Sequence, residues 1–297
     1  MPFLSIKKKK LLLGSIRLGV NSLSYIAPSV AGRIAMEIFC SPQKGRYKEL
    51  ERSYPLLEKA ETHWFDFKGL KIKGYRWPGK GKRILLAHGW ESNTARWLPT
   101  LDALLKEGYE VTAIDAPAHG HSEGKRFTAI LFGEALEVAA AHYRSEVLIG
   151  HSAGGIAAVY LLTHLKTNHI QDIILLGVPS ELTKLTQTYQ DMLGFNERVM
   201  LHLDREFETR FGNSMEVFSI KEYVKMLEIP GLIIHDRKDP IAPYEDMLEA
   251  HHNWPASKMI TTEGLGHSMG GEAVIGFILS FLGANGQRQT VNEKRET

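Results

Sequence analysis

Apolar residues in the middle of this chain fall into short runs, separated by longer stretches in which they recur every three or four positions. The runs at 84–88, 111–115, 147–150, 173–177, 231–234 and 258–262 have the length and β-branched character of buried strands. Helical spacing follows at 94–106, 128–143 and 153–166, and again at 272–282. A strand-then-helix rhythm of this kind predicts a mostly parallel central sheet with right-handed crossovers, flanked by helices. Ahead of it, 64–67 and 70–76, broken by Lys68-Gly69, predict an opening hairpin.

Two stretches depart from the rhythm. About fifty residues separate the run at 173–177 from that at 231–234, far more than an ordinary helix-to-strand connection needs. Leu182, Leu185, Tyr189, Met192 and Leu193, followed by a charge-interleaved segment at 199–211, predict two or three short helices forming a cap. The other departure is the amino terminus, where Leu12, Ile16, Leu23, Ile26, Val30 and Ile34 fit a helical period. The resulting division is a basic, partly apolar helical segment at 1–55, an α/β domain at 56–283 with an insertion at about 179–229, and a polar tail at 284–297 expected to be disordered.

Composition changes this picture in one respect. A chain of 297 residues with 43% hydrophobic content can bury one sizeable core. The net charge of +2, however, hides an asymmetry: residues 1–48 carry +8, which leaves −6 on the rest. Lys7 to Lys10 precede Leu11 to Leu13, but polar residues soon interrupt the apolar positions, so a spanning helix is not expected. Three readings of this segment stay open: helices packed on the body, a basic amphipathic attachment to an anionic membrane, and a cleaved export signal. Nucleic acid is not an expected partner, because no aromatic residues interleave with the basic run. The single Cys40 excludes an intrachain disulfide framework and fits a reducing, cytoplasmic setting, with membrane association as the alternative. No pair among His88, His119, His121, His151, His251 and His252 shows the spacing of a zinc site, and Gly79-Lys80-Gly81-Lys82 lacks the end of a phosphate loop. No metal or cofactor is expected.

The candidate chemistry lies in Gly150-His151-Ser152-Ala153-Gly154, a Gly-x-Ser-x-Gly stretch between a strand and a helix. A serine hydroxyl is a poor nucleophile at neutral pH and needs a general base with a group to orient it. His267 lies in the glycine-rich 264–271 loop, and Asp239 lies just after the strand at 231–234; Asp236, three residues earlier, competes with it.

Ser, Asp and His in this order, together with Ile84-Leu85-Leu86-Ala87-His88-Gly89-Trp90 and Asp115-Ala116-Pro117-Ala118-His119-Gly120-His121-Ser122, resemble the α/β-hydrolase fold superfamily over roughly residues 60 to 283. The resemblance implies Ser152 as nucleophile, His267 as general base and then acid, and Asp239 as the group that fixes the imidazole. Asp239 is preferred because it precedes Pro240 and Pro243 as in the family. It also implies an oxyanion hole from the N–H groups of Trp90 and Ala153. A serine at the nucleophile position departs from the dehalogenase and epoxide-hydrolase branches, and Gly89-Trp90-Glu91 departs from the His-Gly-Gly-Gly form of one lipase and esterase branch. The expected activity is cleavage of a carboxylic ester of a small-molecule acyl substrate, with a thioester, a monoacylglycerol or lysophospholipid, or an amino-terminal peptide as the alternative bond. A non-catalytic ligand-binding protein on the same fold is the rival reading. Tyr189, Met192, Leu193, Phe195 and Met200 are the expected lining of an acyl pocket under the cap.

Overall fold

The computed structural model describes residues 6–44, 54–165, 167 and 169–293. Two helices, α1 (Ile6–Ile26) and α2 (Pro28–Cys40), come first, and a single turn, α3 (Pro55–Glu58), precedes the sheet. Strands β1 (Glu61–Phe67) and β2 (Leu70–Trp77) form the opening hairpin. Its two-residue turn takes positive φ at both Lys68 (48°) and Gly69 (75°), the geometry that matches the twist of paired strands.

The alternating part follows as β3 (Arg83–Ala87), α4 (Leu98–Lys106), β4 (Glu110–Ile114), α5 (Ala129–Tyr143), β5 (Val147–His151), α6 (Ala153–His164) and β6 (Asp172–Leu176). The insertion holds α7 (Leu182–Leu193), α8 (Glu197–Phe211) and the short α9 (Ile220–Tyr223). Then come β7 (Gly231–Asp236), α10 (Tyr244–Asn253), β8 (Ser257–Thr262) and α11 (Glu272–Glu293). The sheet has eight strands in the order β1-β2-β4-β3-β5-β6-β7-β8; β1 and β2 run antiparallel and the other six are parallel.

Strand periodicity sorts the core into two layers. Leu85, Leu148, Ile173, Leu175 and Ile233 point to the side of α5, α6 and α10, while Ile84, Leu86, Ile149, Ile174 and Ile234 point to the side of α4 and α11. Both faces of the central strands are covered, which is why these strands read as continuous apolar runs.

The helix α4 is shorter at its start than its spacing predicts. Residues Thr94–Trp97 form a 3-10 turn, entered through Asn93, whose Oδ1 accepts the N–H of Ala95 at 3.0 Å, and Pro99 then sits in the first turn of α4. At the other end, α11 continues through Glu293 into the stretch expected to be disordered; backbone bonds along a polar run without proline sustain it, and residues 294–297 lie outside the described part.

The amino-terminal helices pack on the insertion. Ala31, Gly32, Ala35, Met36 and Cys40 are buried, and a Cβ at Gly32 would lie 2.4 Å from the carbonyl oxygen of His202 in α8. Only glycine lets the two helices approach this closely. Glu37 of α2 pairs with both Arg210 of α8 (2.9 Å) and Arg126 of the body. Burial pushes the Cys40 thiol up to about 12, so it is held as an inert thiol.

Candidate active site

The link from β5 to α6 is a single residue. Ser152 takes φ 53° and ψ −125°, a conformation costing about 1–3 kcal/mol for a non-glycine residue. Its neighbours explain how it is held there. A Cβ at Gly150 would lie 2.5 Å from Cα of Gly155, one at Gly154 would lie 2.3 Å from the oxygen of Ala87, and one at Gly155 would lie 2.2 Å from Cγ2 of Val178. The start of α6 is thus pressed against the ends of β3, β5 and the segment after β6, and the serine is lifted clear at the carboxyl ends of the strands. Ala153 is the first residue of α6, so its N–H has no acceptor within the helix.

Ser152 meets His267 and Asp239. Oγ of Ser152 lies 2.9 Å from Nε2 of His267, and Nδ1 of His267 lies 2.8 Å from Oδ2 of Asp239. A carboxylate only accepts, so Nδ1 carries the proton and Nε2 offers its lone pair to the serine hydroxyl. Asp239 also accepts the N–H groups of Ile241 (2.8 Å) and Ala242 (3.0 Å) on Oδ1. Burial alone would raise its pKa, but the bonds from His267, Ala242 and Ile241 outweigh this and hold the carboxyl below its ordinary value.

The competitor Asp236 has a different task. Its Oδ2 accepts from the Thr262 hydroxyl (3.0 Å) and the Leu265 N–H (2.9 Å), and Oδ1 from the Lys238 N–H (3.0 Å). It anchors the base of the loop that carries His267. Here too burial is outweighed, by the N–H and hydroxyl donors, and the pKa is lowered.

Two further side chains hold that loop from the other side. Nε2 of His151 donates to the carbonyl of His267 at 2.8 Å, and a guanidinium nitrogen of Arg96 donates to the carbonyl of Ser268 at 2.7 Å. His151 is buried, and burial, followed by the repulsion of Arg96, holds its pKa well below the ordinary value, so it is neutral. His235 plays the same part beneath Asp239, donating from Nε2 to the carbonyl of Ala242 at 2.8 Å. No spacing rule pairs His151 with residue 267; the one signal in the sequence is its position next to the serine.

The turn after β3 is shaped by a second network. Nε2 of His88 accepts the Ala116 N–H (2.9 Å), and Nε2 of His119 accepts the Glu91 N–H (3.0 Å). Asp115 is fully buried and accepts from Thr94, Tyr75 and His121. A Cβ at Gly120 would strike the Asp115 carboxylate at 2.1 Å. These bonds fix Gly89-Trp90-Glu91 against the serine turn: a Cβ at Gly89 would lie 3.0 Å from Cβ of Ser152. The indole of Trp90 remains partly exposed beside this turn and packs edge-on against Phe127 at 5.4 Å.

Of the five cap residues expected to line a pocket, four are drawn into packing. Tyr189, Leu193 and Phe195 are buried, Met200 is packed against the same core, and Met192 is exposed. The Tyr189 hydroxyl donates to the carbonyl of Ala35 at 3.0 Å and its ring meets Phe39 of α2 at 5.0 Å. The reason is the amino-terminal pair, which covers the apolar face of α7 and α8. Among the described residues no group of three or more His, Cys, Asp or Glu side chains could hold a metal ion. A cavity of about 390 Å³ lined by Glu61, His63, Arg76, Glu110 and His142 lies at the amino end of the parallel strands, away from Ser152.

A sequence profile of the alpha/beta hydrolase family matches residues 84–274. A pimeloyl-[acyl-carrier protein] methyl ester esterase of Vibrio cholerae is 31% identical over 87 residues, spanning 29% of this chain and 33% of that protein. The protein of the same name from Legionella pneumophila is 25% identical over 222 residues, spanning 64% of this chain and 89% of that one. Among solved structures, an esterase of Pyrococcus furiosus superposes with a TM-score of 0.62 at 20% identity, covering 82% of this chain and 97% of that one.

Proposed function

This chain belongs to the alpha/beta hydrolase family, and from that premise we propose that it cleaves a carboxylic ester through an acyl-enzyme formed on Ser152. The observation that carries the reading is the unbroken run from Asp239 through His267 to Oγ of Ser152, with contacts of 2.8 and 2.9 Å. Ser152 attacks the ester carbonyl while Nε2 of His267 takes its proton, and the Asp239 carboxylate stabilises the imidazolium so formed. The negative charge on the carbonyl oxygen is met by the N–H groups of Ala153 and Trp90. His267 returns the proton to the departing alcohol. Water, deprotonated by the same nitrogen, then attacks the acyl-serine; the bond to Oγ breaks, His267 returns the proton to Oγ, and the acid is freed.

The names of the matched relatives support an acyl ester with a small alcohol as the substrate class. The indole of Trp90, beside the turn that faces Ser152, supplies an apolar wall for the bound acyl or alcohol group.

Labelling with a fluorophosphonate probe tests the nucleophile. The wild-type protein is expected to be labelled and Ser152→Ala is not, with hydrolysis of p-nitrophenyl esters falling by about 10⁴ or more in the variant. A chain-length series of those esters, set beside a thioester and an aminoacyl substrate, then identifies the bond. A well-folded wild type that resists the probe and binds an ester without turning it over would replace this reading with a ligand-binding one.

A further inference from the structure

The outward face of α1 is built the wrong way round for water. Its inner face is fixed: Val20 and Ser24 are buried, and the Asn21 side chain both donates to the carbonyl of Gly194 (2.9 Å) and accepts the N–H of Asn196 (3.0 Å). Rotation of the helix is therefore set by specific bonds to the ends of α7 and α8. With that orientation Leu11, Leu18 and Tyr25, spaced by seven, are 73%, 71% and 69% exposed, and Ile26 is 84% exposed. Seven residues bring a helix back to nearly the same side, so these form one stripe. The positions between them are Ser15, Gly19 and Ser22, all exposed and uncharged. A surface helix ordinarily turns charges to solvent and apolar residues inward; α1 has apolar residues on both sides.

We propose that this stripe docks on a lipid bilayer bearing anionic headgroups. The charge of the segment selects the partner. The helix opens with Lys7 to Lys10, and residues 1–48 carry +8 while the remainder carries −6. An exposed apolar stripe that begins in a lysine cluster matches the apolar interior and negative surface of such a membrane at once. The attachment is peripheral, because no helix among the described residues is long and apolar enough to cross a membrane.

The end of α2, which follows α1, is tied to the turn beside Ser152. The carbonyl of Cys40, at the end of α2, accepts the N–H of Phe127 (2.7 Å), and the N–H of Gln43 donates to Glu91 (2.8 Å), next to Trp90.

The test is co-sedimentation of the full chain with vesicles of phosphatidylcholine alone and with about 30 mol per cent phosphatidylserine. The wild type is expected to partition about tenfold or more better into the anionic vesicles. Changing Lys7 to Lys10 to glutamine removes that preference, and Leu11→Ser with Leu18→Ser loses binding to both compositions by about tenfold or more. Leu11 and Leu18 are exposed, so in the leucine variant the melting temperature and the hydrolysis of a soluble ester stay at wild-type values, which separates a failure here from a failure of the catalytic reading. Two results would overturn the proposal: a wild type that ignores both vesicles, or binding untouched by the leucine changes. A chain that ignores vesicles but is dimeric by light scattering, and monomeric once the leucines are changed, assigns the stripe to a second copy instead.

Discussion

Ser152 stands in a strained conformation that three glycines make room for, and the residues around it divide into those in the bonded run from its hydroxyl through His267 to Asp239 and those that hold that run in place. The two aspartates separate cleanly on this basis. Asp239→Asn is expected to lower kcat for a p-nitrophenyl ester by roughly 10³ to 10⁴, because the amide disturbs the imidazole tautomer. Asp236→Asn presents an amide N–H₂ to the donors of Thr262 and Leu265. It should cost about 1–3 kcal/mol of stability in a denaturant titration with a smaller loss of rate. The reverse pattern would move the orienting role to Asp236. His151 acts through position alone. Its replacement by leucine frees the carbonyl of His267 and is expected to reduce kcat by about tenfold to a hundredfold with KM little changed, whereas glutamine, which can still donate, recovers most of the rate.

Among the elements, the insertion and the amino-terminal pair behave as one unit. Gly32 in α2 meets His202 in α8 at backbone distance, so Gly32→Leu should destabilise the protein by about 1–3 kcal/mol through overpacking, seen as a lowered melting temperature. Tyr189 distinguishes packing from substrate contact. If its hydroxyl serves only the carbonyl of Ala35, Tyr189→Phe loses about 1 kcal/mol of stability and leaves the preferred ester chain length unchanged. A shifted chain-length optimum would return Tyr189 to the pocket.

For the molecule as a whole, acid is the expected weak point. Burial lowers the pKa values of His88, His151 and His235 in the folded chain. Below about pH 6.5 the unfolded chain takes up protons that these buried rings refuse, so stability is full above that value and falls beneath it. Each histidine can contribute about 1.4 kcal/mol per pH unit. Asp236 and Asp239, whose pKa values are lowered by their hydrogen bonds, add a second loss below about pH 4, as their carboxylates are protonated. Thermal melts at pH 7.5, 6 and 5 should show a steadily falling midpoint. A midpoint that rises toward pH 5 would contradict the neutral state of these histidines.

Legibility in the sequence followed the range of the physics. The strands could be read because both their faces are buried and they carry unbroken apolar runs; the serine turn could be read because close approach permits only glycine at 150, 154 and 155. These are local requirements, and local composition records them. The chain itself therefore specified the sheet, the turn and the order of Ser152, Asp239 and His267. The placement of the amino-terminal helices over the cap, the role of His151 as a donor to residue 267, and the exposure of the α1 stripe depend on contacts between residues more than a hundred positions apart. Helical spacing says that a side is apolar, but only the packing of the folded chain decides which side meets protein and which is left outside.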